Sequence, residues 1–208
     1  VWHSGIPSWA ELKKMARAGT ISQVLSEGDL IPIRLANGEE NEIRITHDQT
    51  GNMFFVFENC LDKPFSMNAG GWVKSEMRAY LNKEIAKQLP DDLLKSIELI
   101  SIEQEIPDET CVKSRDKLFL LSEEQVFGKS RLYSIPEKGV SQLMVFKSSM
   151  EHRVKSRGGK PSWWRLRSPY SDSNASFVYV FSGGAVGYCY ANYSGGVVPG
   201  FCLIEPKK

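Results

Sequence analysis

The stretch YSDSNASFVYVFSGGAVGYCYANYSGGVV, residues 170–198, is made almost wholly of aromatic, tiny and small polar side chains. Between Trp164 and Glu205 there is no Lys, Glu, Gln, Met or Trp. These five types supply 50 of the 208 residues, so chance would place roughly ten of them in that 40-residue gap. Within it, FVYVF and AVGYCYA flank Ser182, Gly183 and Gly184, a pattern that predicts a β-hairpin with a tight glycine turn. With Gly183 and Gly184 as the two loop residues, Tyr179 faces Tyr188 and Phe177 faces Tyr190, while Val178 and Val180 point to the other side. One face is then aromatic and the other aliphatic. Either the rings are core and close the hairpin by cross-strand pairing, or the valines are core and the rings face outward. Tyr, Ser, Gly and Asn with a little Asp is also the composition of antibody binding loops, where stiff tyrosines give contact area at low entropic cost.

Around this stretch the chain is ordinary. It is 41% hydrophobic, enough for one compact core, and its 26 basic and 25 acidic residues are interspersed to a net charge of +1. No basic stripe exists for a phosphate backbone, so nucleic acid is not an expected partner. No run approaches the roughly 20 apolar residues that span a bilayer, and the N-terminal VWHSGIPSW lacks the regions of a signal peptide, so a soluble domain without membrane insertion is expected. Cys60, Cys111, Cys189 and Cys202 form no CxxC and no zinc spacing with histidine, and they read as reduced or buried thiols, with a Cys189–Cys202 disulfide left open. His3, His47 and His152 are scattered singly. Nothing assembles a catalytic dyad, a metal site or a cofactor motif, so no enzymatic activity and no cofactor are expected.

The secondary structure reads as small elements. PSWAELKKMARAGT predicts a short helix with Ser8 and Glu11 as a capping box and Gly19 as its stop. DLIPIRL and NEIRITHD alternate around the Asn37–Gly38 turn, and NMFFVFENC continues them as a third strand of an antiparallel meander. Ser75 starts a second helix in which Met77, Tyr80, Leu81 and Ile85 share a face, ended by Pro90. PDDLLKSIELISIEQEI passes from a helical turn into a strand, and DKLFLLSEEQVFG from a buried strand into a helical turn capped by Ser122. Residues 128–161 show no clean period and read as long loops, with SRGGK at 156–160 a flexible linker that lacks the context of a phosphate loop.

Five segments, GGWVKSEMRAYLN (70–82), LPDDLL (89–94), DKLFLLSEEQVFG (116–128), WWRLRSP (163–169) and GVVPGFCL (196–203), occur in an order that closely resembles a domain family common in gut bacteria and their phages. That family looks like a branch of the C-type lectin fold. Its members include the variable proteins of diversity-generating retroelements, related in fold to phage tropism determinants and formylglycine-generating enzymes. The resemblance implies an α+β C-type lectin fold with small antiparallel sheets, two main helices and long irregular segments. Residues 1–60 would be a helix and meander packed on the main domain, and 61–208 the lectin-like domain, with a variable region at about 167–201. In such retroelements a reverse transcriptase replaces template adenines, so AAC and AAT codons diversify to every residue type except Lys, Glu, Gln, Met and Trp, the types missing here.

By the same resemblance, Trp163, Trp164, Arg167, Ser168, Pro169, Gly196, Gly200 and Phe201 match positions that scaffold the fold. Tyr170, Asp172, Ser173, Asn174, Ser176, Tyr179 and Phe181, with Gly187, Tyr188, Cys189, Tyr190, Asn192, Tyr193 and Gly195, match the diversified, ligand-binding positions. Two departures stand out: WWRLRSP carries one residue more than the family pattern before Arg-Ser-Pro, and GVVPGF has a valine where many relatives carry arginine. The implied function is receptor or ligand binding by a diversified C-terminal surface, on a phage tail or as a bacterial surface adhesin. Its target would be a protein or glycan on a cell or host surface, with oligomers allowed. The alternatives are a structural tail or cell-surface domain without diversification and, least supported, a copper oxidase of the formylglycine-generating type using Cys189 and Cys202.

Overall fold

The computed structural model describes residues 5–68, 70–107, 109–129 and 133–207; His3 lies outside them. Helix α1 (Trp9–Ala18) begins where Ser8 accepts from the Glu11 amide while the Glu11 carboxylate takes the Ser8 amide at 2.8 Å, and it ends at Gly19 with φ 70°. An antiparallel meander follows, β1 (Leu30–Arg34), β2 (Glu40–His47) and β3 (Met53–Phe57). Next come α2 (Gly71–Lys74), α3 (Glu76–Tyr80), whose helical path continues to Gln88, and α4 (Asp91–Ser96). The hairpin β4 (Ile100–Ile106) and β5 (Glu109–Asp116) leads to the short β6 (Phe119–Leu120), α5 (Glu123–Phe127) and α6 (Met144–Ser148). The last strands are β7 (Lys155–Arg157), β8 (Lys160–Ser162), β9 (Trp164–Tyr170), β10 (Ser173–Val180), β11 (Val186–Tyr190) and β12 (Pro199–Phe201). The fold is α+β, with helices set against small antiparallel sheets.

Strand β12 joins the two ends of the chain. It pairs with β3 through Gly200↔Val56 and Phe201↔Phe55 and with β6 through Pro199↔Leu120, completing a five-stranded sheet β1-β2-β3-β12-β6. The meander is therefore hydrogen-bonded into the same sheet as the C-terminal strand. Trp9 of α1 meets Phe55 and Phe201 edge-on, both at 5.7 Å, and those two rings stack at 5.2 Å, so the N-terminal helix seals the seam. The second sheet, β11-β10-β9, carries the stretch that opened the sequence reading.

Residues 133–161 are more ordered than the aperiodic sequence of the 128–161 segment predicts. They contain α6, a helical turn at Met150–Arg153, and the β7–β8 hairpin. SRGGK is the turn of that hairpin and not a linker: Gly158 and Gly159 have φ of +57° and +75°, the left-handed pair that a two-residue type I′ turn demands. β7 also supplies a buried cation. Lys155 is 1% exposed and its Nζ lies 3.3 Å from Glu58 Oε2, while Arg44 grips the same carboxylate at 2.6 and 2.7 Å.

Burial pushes the Glu58 carboxyl up, but the Arg44 hydrogen bonds and the adjacent Lys155 outweigh it and hold the pKa below the ordinary glutamate value. A depressed acid contributes stability above its unfolded pKa of about 4.3, and that contribution is lost as pH falls through the folded value. Glu58→Gln should therefore cost about 3 kcal/mol at neutral pH by stranding Lys155. Denaturant midpoints of the two proteins should converge below about pH 4; parallel pH profiles would contradict the assignment.

Candidate functional site

The β10–β11 register differs from the one a two-residue turn predicts. Phe181 N–H donates to Ala185 O at 2.7 Å and Gly184 N–H to Phe181 O at 2.8 Å, with Gly184 at φ +87°. The loop is thus three residues, Ser182–Gly184, closed by a left-handed glycine. The added residue slides the pairing by one, to Ser176↔Tyr190, Phe177↔Cys189, Val178↔Tyr188 and Tyr179↔Gly187. Tyr179 does not face Tyr188, nor Phe177 Tyr190; by register the rings are divided between both faces of the hairpin. β11 is the edge of its sheet, so Tyr188 and Tyr190 are 47% and 63% exposed although Val178 and Ser176 opposite them are buried.

Of the residues expected to bind ligand, Asp172, Phe181, Tyr188, Tyr190, Asn192 and Tyr193 are exposed. Tyr170, Ser173, Asn174, Tyr179, Gly187 and Cys189 are half-buried. Ser176 and Gly195 are buried and do not reach the surface. A Cβ on Gly195 would lie 2.4 Å from the Trp163 indole, so this glycine belongs with the frame. The rings gather in clusters: Tyr170 stacks on Tyr188 at 4.1 Å, Tyr179 meets Phe181 at 4.7 Å and Trp163 at 5.2 Å edge-on, and Tyr190 meets Tyr193 at 6.0 Å. The Tyr170 hydroxyl donates to Asp172 Oδ2 at 3.0 Å, and that hydrogen bond pushes its pKa up to about 12, so the phenol stays neutral.

Sequence reasoning missed Tyr133. It is 38% exposed and tilts against Tyr188 and Tyr170, at 5.4 and 6.5 Å. It arrives there because the buried Glu123 carboxylate accepts the amides of Tyr133 and Ser134 at 2.9 and 2.8 Å, and because Tyr133 O accepts from Ser171 N–H at 2.8 Å. No local pattern in an aperiodic segment announces such a tether.

The expected scaffold residues lie beneath. Trp164, Arg167, Ser168, Pro169, Gly196, Gly200 and Phe201 are buried, and Trp163 is half-buried. Arg167 holds Glu137 through Nε at 2.9 Å and Nη2 at 2.5 Å, and its Nη1 donates to Leu120 O and Gln125 Oε1 at 2.7 and 2.9 Å. Gly196 has no room for a side chain: its Cβ would lie 2.6 Å from both Cys60 Sγ and Trp163 O. WWRLRSP runs through a bulge, where β9 advances from Arg165 to Pro169 while β10 advances only from Tyr179 to Phe177. In GVVPGF, Val198 is fully buried and fills core. All four cysteines are free thiols, and Cys202 is sealed so that burial pushes its pKa far up.

Arg165 is 0% exposed and its Nη2 donates to Tyr190 O and Tyr193 O at 2.7 and 2.5 Å, with the guanidinium 5.1 Å over the Trp163 ring. Among the described residues, no three His, Cys, Asp or Glu side chains are grouped to hold a metal ion, and no helix is long and apolar enough to cross a membrane.

Fold and surface together define an α+β domain that displays a tyrosine-rich face, with Asp172 as its charged member, over a buried frame. Residues 50–205 match the family described as a domain of unknown function, DUF6273, and the chain belongs to that family. No curated protein and no solved structure matches the chain.

Frame and surface positions should separate in denaturation. Gly195→Ala should cost about 2 kcal/mol because the Trp163 indole must be displaced. Tyr193→Ala, two residues earlier and 54% exposed, should cost about 0.5 kcal/mol. Equal costs at the two positions would contradict the assignment.

Proposed function

We propose that the chain is a target-binding domain of C-type lectin type, whose β10–β11 surface carries interchangeable side chains on a fixed frame. In this reading it is the variable protein of a diversity-generating retroelement, displayed on a phage tail or a bacterial surface. The observation that carries the reading is the exposure of Tyr188, Tyr190 and Tyr193, at 47%, 63% and 54%, beside a frame whose members are buried except for the half-buried Trp163. Large rings exposed in one area mark an interaction site, and tyrosine loses little side-chain entropy when it becomes an anchor there. Asp172 and Asn192 beside them add directional hydrogen bonds. The fixed frame matters because exchange of surface residues is tolerated only where the backbone is held by other groups.

The double replacement of Tyr188 and Tyr190 by Ala should abolish attachment of the labelled domain to the cells it adheres to. It should lower stability by only about 1 kcal/mol, the value of the ring stack lost from Tyr170. A loss of several kcal/mol would make the rings structural and remove the reading. In the gene, a near-copy of the segment differing at adenines beside a reverse transcriptase marks diversification; a locus without either leaves a binding domain of constant surface.

A further inference from the structure

We propose that Arg165, together with position 189, forms an anion-binding subsite on the Tyr179–Phe181 face of the β10–β11 hairpin, suited to the carboxylate of an acidic side chain on a protein target. Three cations are buried to a few per cent exposure or less among the described residues, Lys155, Arg165 and Arg167. Lys155 faces Glu58 and Arg167 faces Glu137. Arg165 faces no carboxylate: the groups acting on its charge are Cys189 and Tyr179, after burial itself. Its Nη2 is spent on the carbonyls of Tyr190 and Tyr193, and among the described residues Nε and Nη1 meet no oxygen acceptor, the Cys189 thiol being the side chain that hydrogen-bonds the guanidinium. A guanidinium keeps its charge in any protein environment, so this is a desolvated positive charge without an anionic partner. Such groups demand a partner.

The partner's place is set by the bulge in β9, which delivers Arg165 opposite Tyr179 and beside Cys189 of the edge strand. Cys189 is half-buried and interacts directly with the guanidinium, so it is a partly exposed neighbour of the buried charge. Burial raises its thiol pKa more than Arg165 lowers it, so the thiol is neutral and leaves the charge uncompensated. The surface brings no acid of its own to the spot. Between Pro169 and Ile204 the one charged side chain is Asp172, and its carboxylate is engaged by the Tyr170 and Ser171 hydroxyls at 3.0 and 3.1 Å. An incoming Asp or Glu would make charge-assisted hydrogen bonds with a donor already desolvated, and the Tyr, Ser and Asn around it are the residues that contact proteins. The identity of the target as a protein rests on the proposed binding surface; the unmet charge does not.

Two measurements test this. Cys189→Asp places a carboxylate at the subsite and should melt at least about 3 °C above Cys189→Asn at pH 7. That advantage is held above the unfolded aspartate pKa of about 3.9 and is lost as pH falls through the lower folded value. Equal melting temperatures overturn the proposal. In the wild-type chain, N-acetylglutamate α-amide should shift the Arg165 Nε–H resonance saturably, chloride at the same ionic strength should not, and Cys189→Asp should abolish the response. No saturable shift, the same shift with chloride, or a response to glucuronate without one to the glutamate derivative each overturns it. Neither measurement needs the cell target, so failure of the Tyr188 and Tyr190 test with success here would remove the binding surface and keep the subsite.

Discussion

The Arg167–Glu137 ion pair, both side chains under 10% exposed, is the constraint on which the rest of the structure hangs. Five elements meet at it. Arg167 belongs to β9, its Nη1 binds the Leu120 carbonyl of β6 and Gln125 of α5, and Glu137 brings in the segment that follows α5. Gln104 of β4 donates to Glu137 at 2.9 Å and to Arg167 O at 3.2 Å, and its own oxygen accepts the amide of Trp72 in α2. The network continues from the Trp72 indole to Asp116, which also accepts from Arg78 and Ser114. A buried ion pair of this kind adds little net stability against an apolar replacement, but removing one partner costs about 3–5 kcal/mol, so it fixes one arrangement and penalises others.

That fixity is what frees the surface. The backbone of β9 is held on its inner side by Arg167 and Ser168, whose hydroxyl accepts the Glu123 amide at 2.9 Å, and Trp164 is anchored by its indole to Arg153 O at 2.8 Å. β10 and β11 are then carried outward from a strand that cannot move. In the proposed reading, side chains at 188, 190, 192 and 193 change without disturbing it, although Tyr188 stacks on Tyr170 of β9. Gly195 and Ser176 show where the freedom ends: one abuts an indole and the other lies buried opposite Tyr190.

Much of the frame was legible because it rests on local chemistry. The Ser8–Glu11 and Ser122–Gln125 capping boxes, the left-handed Gly19 and the Ser75 cap are dictated by residues three or four apart. The Asn37–Gly38 hairpin forms as its sequence predicts, whereas the β10–β11 register was misread. Ala36-Asn37-Gly38 and Ser182-Gly183-Gly184 are three-residue loops closed by a left-handed glycine, at φ +91° and +87°, and a glycine pair or Asn-Gly in sequence does not say whether one or two residues adopt that conformation. At Gly158-Gly159 both do, and there the turn is the tight one. The aromatic surface was visible in composition, but Tyr133 and the unmet charge of Arg165 are products of long-range tethers and a bulge, which no window of sequence contains.

The central claim is that a fixed frame tolerates exchange of the whole outer face. The most direct measurement is a crystal structure of the chain with Tyr170, Phe181, Tyr188, Tyr190 and Tyr193 all replaced by Ser at once. The account predicts that Cα atoms of residues 163–203 superpose on the parent within about 1 Å, with the Arg167–Glu137 pair intact. A rearranged β9–β11 sheet, or a chain that no longer folds, would contradict it.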